Sequence, residues 1–259
     1  MCRRLAAYGL ASTIGYAAMR GAPPRAVADV HLEAFRRLSA EDIDCHVSVK
    51  LSALDFDAAL FAELDAAAAQ SARALHVDAL APETVDATWR LLERVPRTAQ
   101  VGTTLPGRWR RSADDASLAA RLGLRVRVVK GQWADSSAPS VEPAAGFLRV
   151  VDRLRNHADG VAVATHDVEL LAASLQRLTA AGTPCTAELF LGLPFRRPAL
   201  TARRFGVPIR VYVPYGDSGA PYGVADIAGN PVAAWWMLQD VVLGKDKTWL
   251  SIRRSRRGR

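Results

Sequence analysis

The residues able to do chemistry fall just after short apolar segments of the chain. They are Lys50 and Ser52, Asp78, Thr104, Lys130 with Gln132 and Trp133, Thr165 with His166 and Asp167, Glu188, and Tyr212, Tyr215 and Asp217. Cations with aromatic rings suit an anionic, aromatic ligand. In RVRVVKGQWAD, Arg125–Asp135, side chains alternate along a strand, so Arg125 and Arg127 share one face and Lys130 lies just past the end. Arg127 is then expected to point into a pocket, Lys130 to fold over a phosphate, and Trp133 to offer a ring for stacking. A metal centre is disfavoured: His166 and Glu188 have no second His or Cys beside them, and the set is dominated by cations. No serine sits on a nucleophile elbow, which argues against a hydrolytic triad. Taken singly, each residue has a plain role: Asp78 and Asp167 can cap helices, and the lysines can extend into solvent. Their convergence makes the case for a site.

The elements that must position them recur in a regular rhythm. Apolar segments suited to strands lie at Ser12–Met19, Cys45–Val49, Ala74–Val77, Ala99–Thr104, Leu124–Val129, Gly160–Ala164, Thr186–Phe190 and Ile209–Val213. Between them run segments with helical spacing: Arg25–Leu38, Phe56–Ala72, Pro82–Glu93, Ala113–Leu122, Pro143–Asn156, Val168–Ala181 and Pro198–Phe205. Asp55, Ser112 and Asp167 are expected to start helices, and Gly123, Gly182 and Gly206 to end them. Alternating strands and helices imply parallel pairing, and no glycine-rich fingerprint follows the first strand. The expected fold is therefore a closed (β/α)8 barrel, whose active sites lie at the C-terminal ends of the strands. One barrel domain is expected over residues 1–243, ending in a helix Pro221–Leu243, with a disordered basic tail at 244–259.

Composition excludes several classes. No apolar run approaches the ~20 residues of a membrane helix, and Met1–Leu10 lacks a signal-peptide core, so a cytoplasmic protein is expected. The formal charge is +8, but after Gly244 seven cations face Asp246 alone, so a net +6 of it sits there. With no aromatic residues interleaved to stack bases, nucleic acid is not an expected partner. Cys2, Cys45 and Cys185 are scattered and lack metal spacing, which suggests reduced structural thiols.

Four motifs in order, KLSAL (Lys50–Leu54), RVVKGQW (Arg127–Trp133), ATHD (Ala164–Asp167) and RVYVPYG (Arg210–Gly216), resemble the proline dehydrogenase family, from about Val47 to Asn230. The resemblance implies a (β/α)8 barrel that binds FAD and oxidises proline to pyrroline-5-carboxylate by hydride transfer to the flavin. By position it implies a catalytic set of Lys50, Asp78, Arg127 and Tyr212. Lys50, Tyr212 and Tyr222 would meet the substrate, with Asp78 holding the charge balance. Arg127 would lie by the flavin ring, and Lys130, Gly131, Trp133, Thr165 and His166 would hold the cofactor. The implied partners are a small amine or imino acid and an electron acceptor, which is membrane quinone for some members of the family.

The chain also departs from that pattern. Where the family carries YLVRRLAEN, this sequence reads YGVADIAGN, Tyr222–Asn230, so Ala225 and Asp226 replace two arginines that clamp the proline carboxylate. Loss of one such partner in a desolvated site costs roughly 2–5 kcal/mol. The family's QAY is Pro106, Gly107 and Arg108, and its GAYW is GQWA, Gly131–Ala134. Three readings follow. One is a flavoenzyme for a secondary amine whose carboxylate is masked or absent. Another is a proline enzyme in which Lys50 and a relocated cation (Arg108, Arg196 or Arg197) replace the pair. The third is a barrel that has lost catalysis and serves as a binding or scaffold protein.

Overall fold

A computed structural model of the chain describes residues 1–78, 81–135, 138–139 and 141–216. The strands are β1 (Ala11–Ala17), β2 (Cys45–Val49), β3 (Leu75–Val77), β4 (Val101–Pro106), β5 (Arg125–Val129), β6 (Val161–Ala164), β7 (Cys185–Phe190) and β8 (Ile209–Gly216). Each pairs in parallel with the next, and β8 returns to β1, closing the barrel. The helices are α1 (Cys2–Ala7), α2 (Pro24–Ser39), α3 (Ala58–Gln70), α4 (Val85–Arg94), α5 (Ser112–Arg121), α6 (Pro143–Arg153), α7 (Val168–Ala180) and α8 (Arg196–Arg204). The expected closed (β/α)8 barrel is the observed one.

The apolar core is a shell between the sheet and the helices. Outward-facing Val47, Val49, Val126, Val128, Val161, Val163, Leu189 and Val211 meet Phe35, Phe61, Leu92, Phe147, Leu171 and Leu175, all nearly inaccessible. Inside the barrel the alternation delivers polar groups instead. Thr13, Ser48, His76, Thr104, Arg125, Arg127, Glu188 and Arg210 are all buried there or at its mouth. Arg125 and Arg127 thus occupy the inner face of β5, which is why an otherwise apolar strand carries them.

One local expectation is corrected. Asp55 does not start α3: it closes a 3-10 turn at Leu51–Leu54 with φ 52°, and Asp57 caps the helix by accepting from the Ala59 and Leu60 N–H groups. Ser112 is the first residue of α5, as expected, and its hydroxyl donates to the Pro106 carbonyl at 2.7 Å. The helix α1 had no counterpart in the sequence reading. Asp167 does cap α7, accepting from the Leu170 N–H. The expected helix Pro221–Leu243, the basic tail, Asp217 and Tyr222 lie outside the described residues.

Candidate active site

Lys50 follows β2, Asp78 follows β3 and Lys130 follows β5, while Arg127, Glu188 and Tyr212 lie within β5, β7 and β8. The barrel brings them to one mouth. Arg127 is 5% exposed. Its Nε and Nη2 donate to the two Glu188 oxygens at 3.0 and 2.7 Å, a planar two-point pair, and its Nη1 donates to Asp78 Oδ1 at 2.6 Å. The strand between β5 and β7 opposes Arg127 with Ala162 and Glu188 with Ala164, so only small side chains stand in the guanidinium's path. Asp78 is a hub: Ser48 donates to Oδ1 at 2.7 Å, Tyr212 Oη donates to Oδ2 at 2.9 Å, and Lys50 Nζ lies 3.8 Å from Oδ2. Lys50 also donates to the Tyr16 carbonyl at 3.3 Å.

Tyr212 is held on several sides. Its ring stacks on Phe190 at 5.4 Å and 15°, and the Arg127 guanidinium lies 5.2 Å from its centroid. Gly15 makes room for it: a Cβ there would sit 1.9 Å from Tyr212 Oη.

The electrostatics follow from this burial. Burial opposes charge on Arg127, but Glu188 and Asp78 outweigh it and raise its pKa. Burial likewise pushes Glu188 up, and the Arg127 charge and hydrogen bonds overcome that, holding the carboxyl below its ordinary range. Burial first, then the Asp78 charge, pushes the Tyr212 phenol well up. One layer deeper, Arg125 donates to His46 Nδ1 at 2.8 Å and to Thr186 Oγ1 at 2.9 Å, while Arg210 forks onto Asp44 at 2.8 and 2.9 Å. Burial and the neighbouring Arg210 charge lower Arg125 to about 10.

The residues expected to hold a cofactor form a second group on the rim. Lys130 donates to Asp167 Oδ2 at 2.8 Å, and its side chain is 40% exposed. Gly131 has φ 93°, and a Cβ there would meet Pro106 Cβ at 2.8 Å, so the turn needs glycine. Trp133 is 46% exposed, and its carbonyl accepts from Trp109 Nε1 at 2.8 Å, which pins the loop. Thr165 is buried, and its Oγ1 accepts from the Asp167 N–H. His166 links two loops: Nε2 accepts from the Phe190 N–H at 2.8 Å, which leaves Nδ1 to donate to the Pro194 carbonyl at 2.7 Å.

The expected excess of cations is corrected by these contacts. Lys50, Arg127 and Lys130 each face a carboxylate, respectively Asp78, Glu188 with Asp78, and Asp167. Sequence reasoning missed the inner partners Ser48, His76, Arg210 and Gly15. A period of two would have found three of the four, since Ser48, His76 and Arg210 each stand two residues before a named site residue. Among the described residues no group of three His, Cys, Asp or Glu side chains could hold a metal ion.

The charged, buried network stands at the C-terminal mouth of a closed parallel barrel, the end at which barrel enzymes carry their active sites. Comparison with known proteins narrows the class. The chain is 27% identical over 150 residues to proline dehydrogenase 1 of Bacillus subtilis strain 168, covering 55% of this chain and 49% of that protein. It therefore spans about half the length of that curated relative. Among solved structures it resembles proline utilization A of Bdellovibrio bacteriovorus inactivated by N-propargylglycine, with a TM-score of 0.72, 15% identity, and coverage of 98% of this chain and 32% of that one. It also resembles proline utilization A of Corynebacterium freiburgense, with a TM-score of 0.69, 17% identity, and coverage of 96% and 30% respectively. No protein-family model matches. The sequence likeness supports the proline dehydrogenase family that the four motifs resemble, and the structural likeness supports the barrel.

Proposed function

We propose that the chain is an FAD-dependent oxidoreductase of the proline dehydrogenase type, acting on proline or a related cyclic secondary amine or imino acid. The observation that carries this reading is the network of Lys50, Asp78, Arg127, Glu188 and Tyr212 at the barrel mouth. Four of its members, Lys50, Asp78, Arg127 and Tyr212, are positions to which the motif resemblance assigns catalytic roles, and Glu188 joins them through Arg127.

The donor set fits a flavin nucleotide. Three of the five Arg127 N–H groups are used among the described residues, which leaves one on each terminal nitrogen. Lys130 is a half-open cation beside a tight glycine turn, and Trp133 presents an exposed ring. Lys130, Gly131, Trp133, Thr165 and His166 would hold the cofactor, with Arg127 at its ring. When bound, FAD supplies the hydride acceptor. The chain's own residues do the rest. Lys50 Nζ and Asp78 Oδ2 present one cation and one anion, 3.8 Å apart, which complements the zwitterion that an imino acid forms in water. Tyr212, locked between Phe190 and Arg127, gives the substrate ring an apolar wall. Asp78 already accepts from Ser48, Arg127 and Tyr212, so it orients the site and does not serve as a free base.

The replacement of the family's two arginines by Ala225 and Asp226 favours a substrate whose carboxylate is masked, absent or held by Lys50. The proposal includes a cytoplasmic location and an electron acceptor of the kind the family uses, which is membrane quinone for some of its members. Among the described residues no helix is long and apolar enough to cross a membrane.

The test is an absorption spectrum of the purified protein before and after anaerobic addition of L-proline. A flavin spectrum that bleaches supports proline as substrate. A spectrum that stays oxidised directs the search to other cyclic amines. A colourless protein that takes up no added FAD overturns the proposal and leaves the catalytically lapsed scaffold.

A further inference from the structure

Glu188 stands apart from the other carboxylates at the mouth. Asp78 divides its two oxygens among Ser48, Arg127 and Tyr212, with Lys50 nearby. Asp167 is partly exposed and also caps α7. Glu188 is 4% exposed, and both of its oxygens go to Arg127. It accepts from no other donor among the described residues, and the Arg125 and Arg210 charges act on it only from beyond hydrogen-bond contact.

The same strand holds Arg127 from a second direction. Two residues after Glu188, Phe190 stacks on Tyr212, whose ring lies under the guanidinium. Arg127 is therefore fixed along its edge by Glu188 and over its face by Tyr212, both through β7. This arrangement fixes which Arg127 N–H groups remain for a ligand, one on Nη1 and one on Nη2. It also decides how much charge Arg127 presents. In a buried layer, an arginine in two-point contact with an unshared carboxylate acts on a neighbour more as a dipole than as a full positive charge.

We propose that Glu188 is a positioning residue that fixes the plane of the Arg127 guanidinium and cancels much of its charge, thereby setting the reduction potential of the bound flavin. The inference rests on the flavoenzyme reading above. Reduction adds negative charge to the cofactor, so any positive charge beside it favours the reduced form. Glu188 therefore holds the potential lower than Arg127 alone would set it. Sequence position adds a reason for such a device. Where the family's QAY has a glutamine, which the resemblance implies bonds the flavin ring, this chain has Pro106, with neither a side-chain nor a backbone N–H to donate, so more of that role falls to Arg127.

The experiment compares FAD-loaded wild type with Glu188→Gln and Glu188→Asp by dye-coupled redox titration, with flavin content and melting temperature measured in parallel. Glu188→Gln keeps the shape and one acceptor but removes the charge, and its potential is expected to shift positive with flavin retained. Glu188→Asp keeps the charge one methylene further back, and is expected to give a smaller shift of the same sign. A merely structural role would lower the melting temperature and leave the potential where it was. A Glu188→Gln protein that holds flavin at the wild-type potential, or at a more negative one, overturns the inference. If Glu188→Gln does not fold, Glu188→Asp decides: an unchanged or negative potential overturns the inference. Wild-type protein that takes up no FAD overturns the flavoenzyme reading and the inference with it, an outcome distinct from a yellow protein whose potential ignores Glu188.

Discussion

Arg127→Met is the most informative single change, because it strands two carboxylates. Glu188 and Asp78 are largely buried, with side chains 3% and 12% exposed, and among the described residues Arg127 is the only cation paired with Glu188. Methionine approximates the alkyl stem, so the cavity is small and the cost is electrostatic. Removing one partner of a buried pair costs about 3–5 kcal/mol, whereas removing both often costs far less. For a chain of this size, ~1 kcal/mol moves the melting temperature by ~2–4 °C, so Arg127→Met should melt about 6–20 °C lower at neutral pH. The double change Arg127→Met with Glu188→Gln should recover part of that loss, because no unpaired charge then remains at Glu188.

The pH dependence gives the sharper check. In the wild type the folded Glu188 carboxyl is held below its ordinary value of 4.5. Its contribution to stability is therefore present above 4.5 and is lost as pH falls through the depressed value. In Arg127→Met the principal lowering partner is gone and burial, the largest influence on this carboxyl, outweighs the weaker Arg125 and Arg210 charges, so the folded value rises above the unfolded one. The variant then regains stability as pH falls from that raised value toward the unfolded one, by up to ~1.4 kcal/mol per unit. Thermal melts followed by circular dichroism from about pH 8 to about pH 5 should show the gap between wild type and variant closing on acidification. A gap that stays constant across that range, or a variant within about 2 °C of wild type at neutral pH, would falsify the buried-pair account.

Three further changes probe the rest of the site. Gly15→Ala places a methyl where Tyr212 Oη now sits, 1.9 Å away, and should destabilise by about 1–3 kcal/mol while altering the near-ultraviolet tyrosine signal; an unchanged signal would mean that the phenol is seated elsewhere. Asp57→Ala should cost about 1 kcal/mol through lost capping of α3, whereas Asp55→Gly, at a position with φ 52°, should be neutral or stabilising, and the reverse ranking in urea melts would restore Asp55 as the cap. Lys130→Met should leave stability within about 1 kcal/mol, because its pair with Asp167 is partly exposed, yet should weaken FAD binding roughly tenfold or more; equal affinity by fluorescence titration would remove Lys130 from the cofactor site.

Most of the fold was legible because a parallel barrel writes itself locally. Its strands are buried on both faces and read as continuous β-branched runs, and its connections are short. The one misplaced helix start has a physical cause. Asp55 and Asp57 both precede the same alanine-rich run. Which of them caps it depends on Leu51 and Leu54 turning into the core, a tertiary fact that local pattern does not carry. The site was legible by residue and illegible by partner. Lys50, Asp78, Arg127, Lys130 and Tyr212 stand where strand ends placed them, but Arg127 meets Asp78 and Glu188 across sequence separations of 49 and 61 residues. Pairings that distant are set by barrel closure, so an apparent surplus of cations proves to be a set of matched pairs.

That matching changes how an anionic cofactor could be held. With each of the three cations already facing a carboxylate, binding becomes an exchange of partners in place of the filling of a vacant positive pocket. The three pairs differ in how readily they exchange. Arg127 and Glu188 are 6% and 3% exposed in their side chains, so separating them would bury an unpaired charge. Lys130 and Asp167 are 40% and 29% exposed, and Asp167 keeps a second role in capping α7 once Lys130 leaves it. Opening that outer pair costs little, since exposed ion pairs contribute at most ~1 kcal/mol. In the proposed reading Lys130 is thus the residue that moves to a phosphate, while Glu188 keeps Arg127 fixed in place for the flavin ring. The affinity of the site would then fall with added salt through Lys130, while its redox character, set by a pair buried beyond the reach of screening ions, would not.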